Sequence, residues 1–190
     1  MAPTCQKLSF FYLLLLCSSI CSSADVPQIP QYYVKAAFLI ELVDFVKWPN
    51  DTSDHSGENK KTICVFGENP FHDYLEKFSA IENNNIAIHY FQNLEKIPHC
   101  HILFISRSEK HSLSKILRVL KNKIVLTVSD IRNFAHEKGM IEFVIRSRKV
   151  RLRIDLATIN ESGIKLSSNL IELAMLVNDD DKYNKKKGRQ

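Results

Sequence analysis

Between residues 62 and 129 the chain repeats one pattern four times. The short apolar runs TICVFG (62–67), IAIHYF (86–91), CHILFIS (100–106) and KIVLTVS (123–129) are separated by polar, helix-compatible stretches. Continuous apolar runs of this length belong to strands buried on both faces, and alternation with helices is the rhythm of a parallel sheet. The fold class this implies is α/β, a mostly parallel doubly wound sheet flanked by helices. The rhythm breaks at MIEFVIR (140–146) and KVRLRIDL (149–156), which read as a C-terminal antiparallel hairpin joined across Ser147 and Arg148. Period-two alternation would turn Val150, Leu152, Ile154 and Leu156 inward and Lys149, Arg151, Arg153 and Asp155 outward. A final helix, LIELAMLV, is expected to begin near Ser168 or Asn169, with Glu172 completing a capping box.

Two helices precede or interrupt the sheet. Residues 32–48 contain no glycine and stop at Pro49, and their apolar positions (Val34, Phe38, Leu39, Leu42, Val43, Val46) cover more than half of the helix surface. Such a helix needs cover on two sides, from the sheet on one and from a neighbouring helix or a second subunit on the other. Lys35 falls among those apolar positions and is expected to snorkel from the first turn. Asn69 and Pro70 read as the cap and first-turn residue of a helix over PFHDYLEKFSAI.

The amino terminus limits where this domain works. Lys7, the apolar run LSFFYLLLLCSSI and the small residues Ser22, Ser23 and Ala24 form a secretory leader with cleavage expected after Ala24. The apolar run is shorter than the roughly 20 residues a spanning helix requires. The expected organisation is a signal peptide over 1–24, one α/β domain over 32–177 and a charged, disordered tail over 178–190. Removing the leader takes Lys7 and three of the five cysteines with it, so the formal charge falls from +5 to +4. The tail holds three acids and five bases, which leaves the domain only slightly basic. Neither that charge nor an exported location favours a nucleic acid partner.

Cys64 and Cys100 are the pair that remains. In the commonest strand order for this rhythm the first and third strands are neighbours, which sets the two thiols side by side toward the amino-terminal edge of the sheet. An exported chain favours a disulfide there, and two adjacent buried free thiols are the other reading. Catalytic groups of parallel sheets gather at the opposite edge, and the Cys-x-x-Cys motif of thiol oxidoreductases is missing. His99 and His101 share one face of their strand with Cys100 on the other, so the three side chains cannot converge on one metal. No nucleophile elbow, P-loop or dinucleotide fingerprint occurs, so no catalytic residue, metal ligand or cofactor is assigned. FGENPF leads from a strand toward a helix, and with the loop after CHILFIS it outlines a possible ligand crevice at Glu68, Asn69, Phe71 and Ser106. That crevice supports the alternative function of an exported small-ligand sensor.

Taken in order, VKAAFLIELVDFVKWP, ICVFGENPF, CHILFIS, VLTVSDIRNFA, GMIEFVI and IKLSSNLIELA resemble the YfiR family of bacterial periplasmic proteins over residues 32–177. The resemblance implies a non-enzymatic regulator that forms a homodimer and represses a membrane-bound diguanylate cyclase, restraining cyclic-di-GMP signalling and biofilm formation. It also implies that Cys64 and Cys100 match cysteines that relatives oxidise to a disulfide. A second cysteine pair present in some relatives is absent, which distinguishes the redox behaviour expected here.

Overall fold

A computed structural model describes residues 30–49, 60–81, 85–94 and 97–177. The leader, the expected cleavage point at Ala24 and the 178–190 tail lie outside the described residues. Helix α1 (Gln31–Phe45) opens the domain and passes into a two-residue strand, β1 (Val46–Lys47). The alternating region follows as β2 (Lys61–Phe66), α2 (Tyr74–Ile81), β3 (Ile86–Phe91) and β4 (Ile102–Ile105). A 3-10 turn over Arg107–Ser112 then leads to α3 (Leu113–Leu120) and β5 (Leu126–Ser129). A second 3-10 turn (Phe134–Glu137) precedes β6 (Ile141–Arg146) and β7 (Lys149–Ile154). The last elements are α4 (Leu156–Glu161), β8 (Lys165–Leu166), α5 (Ser168–Leu173) and β9 (Met175–Leu176).

Seven strands form one sheet in the order β3-β2-β4-β5-β6-β7-β9, and β1 pairs with β8 in a separate antiparallel ladder. Strands β2 to β6 run parallel, β7 is antiparallel to β6, and β9 is parallel to β7. This is the doubly wound α/β sheet with a C-terminal hairpin that the sequence rhythm predicts. Alternation along β2 explains its two-sided core. Ile63 and Val65 join the cluster under α1, with Leu39, Ile40, Phe104 and Val128, whereas Cys64 and Phe66 join the cluster under α3, with Leu103, Ile105 and Ile116.

Several boundaries differ from expectation for local reasons. α1 ends at Phe45 rather than at Trp48, because the next residues are drawn into the β8 ladder and Ser167 donates its backbone N–H to the Phe45 carbonyl. α2 begins at Tyr74, not at Pro70. The Asn69 carboxamide accepts from the Phe71 N–H at 2.9 Å and donates to the His72 carbonyl, and His72 takes a positive φ of 54°, so these residues form a turn ahead of the helix. At the carboxyl end Ser167, not Ser168 or Asn169, caps α5 by accepting from the Leu170 N–H. With Ser167 as the cap the third helical residue is Leu170, so Glu172 lies beyond the position a capping box requires, and the helix stops at Leu173, where the chain pairs with β7 as β9.

The neighbouring helix supplies the second cover for α1. Tyr33 sets its ring 5.4 Å from Tyr74 and 4.8 Å from Phe78 of α2, while Ala36, Leu39, Ile40 and Leu42 are buried.

Candidate functional site

The sheet carries three buried polar or covalent features, and their positions decide what its edges can do. The first is the link between Cys64 and Cys100. β2 and β4 are adjacent, with Cys64 opposite Leu103, so the thiol that precedes β4 arrives beside the one in β2, at a Cα separation of 5.9 Å. The bridge is buried among Leu103, Ile105, Leu113, Ile116 and Leu120. A sulfur locked in a disulfide and covered by aliphatic side chains offers no thiolate for nucleophilic chemistry.

The histidines take the opposite face. His101 Nδ1 accepts the Thr62 backbone N–H at 3.0 Å, and its carbonyl accepts the Trp48 indole N–H at 3.2 Å. The Trp48 ring stands edge-on to His101 at 5.2 Å, and the His99 ring stands edge-on at 5.1 Å. His101 therefore joins the start of β4 to β2 and, through Trp48, to the residue that follows β1. Its Nδ1 is occupied as an acceptor, a structural use of an imidazole. Among the described residues no group of three or more His, Cys, Asp and Glu side chains is gathered to hold a metal ion.

The second feature corrects the reading of Lys35. Its side chain does not snorkel; it is 1% exposed and its Nζ lies 2.6 Å from Asp130 Oδ2. Asp130 follows β5, so the ion pair fastens the first turn of α1 to the carboxyl edge of the sheet. The same Oδ2 accepts the Tyr32 hydroxyl at 2.8 Å and faces Arg107 Nε at 3.1 Å, and the Lys35 ammonium stands 4.1 Å from the centre of the Tyr32 ring. Three donors thus converge on one carboxylate oxygen, while Asp130 Oδ1 is buried without a hydrogen-bond partner. Burial pulls the Lys35 ammonium below its ordinary pKa, and the hydrogen bond and charge of Asp130 oppose that pull. The sequence held one signal for this site, a lysine within an apolar helix face. Its partner, 95 residues away, carried none.

Burial, followed by Asp130, pushes the Tyr32 phenol from 10.0 up to about 12. A group raised in the folded state contributes stability that is complete below its unfolded pKa and is lost as pH rises through the folded one. The Tyr32 contribution is therefore expected to disappear between pH 10.0 and about 12. It should stay below the roughly 2–3 kcal/mol that two units represent, because the ring is partly exposed and water screens it. Urea unfolding of the wild type and Tyr32→Phe across this range checks the sign: the stability gap between them should narrow as pH rises. A gap that widens would contradict it.

The third feature corrects Arg153 and Asp155, both expected to face outward. Arg153 is buried and places Nη1 3.1 Å from Glu142 Oε1. Glu142 also accepts the backbone N–H groups of Asn133 and Ala135, so this carboxylate holds the second 3-10 turn against the hairpin. Asp155 is buried as well, and caps α4 by accepting from the Thr158 N–H and hydroxyl. Both faces of the sheet are covered at this end of β7, so strict inward and outward alternation fails there.

The structure brings together the loops that carry Glu68, Asn69, Phe71 and Ser106. The Glu68 N–H donates to Ser108 Oγ at 3.1 Å and the Ser106 N–H to the Phe66 carbonyl at 3.0 Å. Phe71 is fully buried between Tyr32 and Phe104, and Ser106 is nearly so. Gly67 allows this contact: it has a φ of +93°, and a Cβ there would lie 2.4 Å from Ser108 Oγ. An open groove of about 710 Å³ lies at the other end of the strands, lined by Val125, Thr127, Met140, Arg118, Lys121 and Lys138.

Residues 32–175 match the family model described as YfiR/HmsC-like. No curated protein matches significantly. Two solved structures share the fold. One is the ABC domain in complex with L-Trp from Streptococcus pneumonia (TM-score 0.56, 8% identity, 75% of this chain and 60% of that one). The other is a conserved domain protein from Vibrio cholerae O1 biovar El Tor (TM-score 0.53, 9% identity, 74% and 59%). The chain spans about three fifths of the length of each of these structures.

Proposed function

The chain belongs to the YfiR/HmsC-like family, and from that premise we propose that it is a non-enzymatic periplasmic regulator that represses an inner-membrane diguanylate cyclase by binding it. One observation carries the reading. The family match runs from the first turn of α1 to the start of β9, so it includes both bridged cysteines and every buried polar feature of the sheet. The chemistry is compatible. The Cys64–Cys100 bridge is buried, His101 holds β4 to β2, and Lys35 is paired with Asp130, an arrangement compatible with a binding role. A binding protein controls its partner by differential affinity for that partner's states. In this reading a homodimer occupies the outer portion of the cyclase, and release follows a change in the redox state of the Cys64–Cys100 pair or capture by another envelope protein.

Cross-linking the exported protein in intact cells, followed by purification from the envelope, tests this. The expected product is a conjugate with a membrane protein that bears a cyclase domain. Recovery of the protein with no membrane signalling component would overturn the proposal.

A further inference from the structure

The hairpin departs from the rest of the sheet in length and in charge. Phe66, Ile105, Ser129 and Glu142 lie in register across β2, β4, β5 and β6, so the parallel strands end level. β6 continues to Arg146 and pairs with β7 to the last residue, Arg146 opposite Lys149. Four further residues at about 3.3 Å each carry the tip roughly 13 Å beyond the carboxyl edge. Ser147 and Arg148 turn the chain with φ of 48° and 62°, the conformation of a tight two-residue hairpin turn.

Paired residues share a face, so Arg146, Lys149 and Arg151 project on the same side of this arm, with Arg148 at its end, and all four are exposed. Like charges directly opposite one another in a ladder destabilise it. The carboxylate on that face, Glu142, is already held by Arg153. Among the described residues none of the four exposed bases forms an ion pair. Ile145, on the other side of the arm, is 41% exposed. The loops after β4 and β5 add exposed Arg107, Lys110 and Arg132 along the same edge, against Glu68 and Glu109.

We propose that this arm docks on a lipid surface bearing anionic phospholipid headgroups. A projecting face of self-repelling bases lacks an internal counter-charge, and a headgroup layer supplies phosphates over a broad front without requiring a concave site. The proposal deepens the regulator reading by naming the surface that holds the protein against the bilayer. Vesicles contain no cyclase, so its failure is distinguishable from failure of that reading.

The test is co-sedimentation of the chain from Asp25 onward, which contains every described element, with phosphatidylglycerol/phosphatidylcholine vesicles and with phosphatidylcholine alone. Retention on the anionic vesicles only, released by high salt, is expected. Replacing Arg146, Lys149 and Arg151 together by Gln should lower partitioning about 100-fold, since each base near a charged surface contributes on the order of 1 kcal/mol. Lys121→Gln with Lys123→Gln, near the opposite ends of the strands, should leave it unchanged, and thermal melts confirm that both variants fold. Equal retention on neutral vesicles, or an unchanged triple variant, would overturn the proposal. So would capture by polyglutamate without retention on either vesicle, which would assign the arm to an acidic protein.

Discussion

Replacing Cys64 and Cys100 together by Ala is expected to cost roughly 3–4 kcal/mol, the loop-closure entropy of a bridge spanning about 36 residues. The two sulfurs are 36 positions apart in sequence and join adjacent strands, so the crosslink removes many open conformations from the unfolded chain while demanding little of the folded one. For a domain of this size the loss corresponds to a melting temperature lower by about 10 °C. The substitution also shrinks side chains in the cluster under α3, so part of the loss arises from packing. Thermal unfolding of the oxidised wild type, the reduced wild type and the double variant separates the two contributions. Reduction should account for most of the shift, and an oxidised protein that melts with the other two would contradict the prediction.

Asp130→Ala is expected to be at least as damaging, about 3–5 kcal/mol, because it leaves the Lys35 ammonium buried without its counter-ion. Such a loss is a large fraction of the roughly 5–15 kcal/mol by which domains are stable. The informative comparison is a double-mutant cycle. Lys35→Met with Asp130→Ala removes the charge along with its partner, so the double variant should be more stable than Asp130→Ala alone. Tyr32 and Arg107 lose their acceptor in both variants and cancel from the comparison. Denaturant midpoints that simply add would show that the pair is not coupled.

The parts of this molecule that could be read from its sequence are those in which one local rule decides the outcome. β2, β4 and β5 are covered on both faces and appear as apolar runs, whereas the edge strand β3 exposes His89 and Tyr90; the adjacency of β2 and β4 follows from the usual winding order. The hairpin announced itself through its alternation on either side of Ser147 and Arg148. What escaped reading depends on distant partners. Lys35 among apolar neighbours looks the same whether its ammonium reaches water or a carboxylate 95 residues later. Arg153 sits at a formally outward position, yet the 3-10 turn held by Glu142 covers that face. LIELAMLV has helical periodicity throughout, but pairing of Met175 and Leu176 with β7 outweighs propensity over its last residues. Glu68, Asn69, Phe71 and Ser106 all follow the carboxyl ends of β2 and β4, and Phe71 packs its ring against Phe104 there.

In the proposed function this chain acts from outside the cytoplasm on cyclic-di-GMP synthesis within it. The direct measurement is cellular cyclic-di-GMP in a strain lacking the chain, complemented either with the full sequence or with a version that begins at Asp25 and stays in the cytoplasm. The account predicts a raised level in the deletion strain, restored to the parental level only by the version that carries the leader. Equal restoration by both versions, or no rise on deletion, would contradict it.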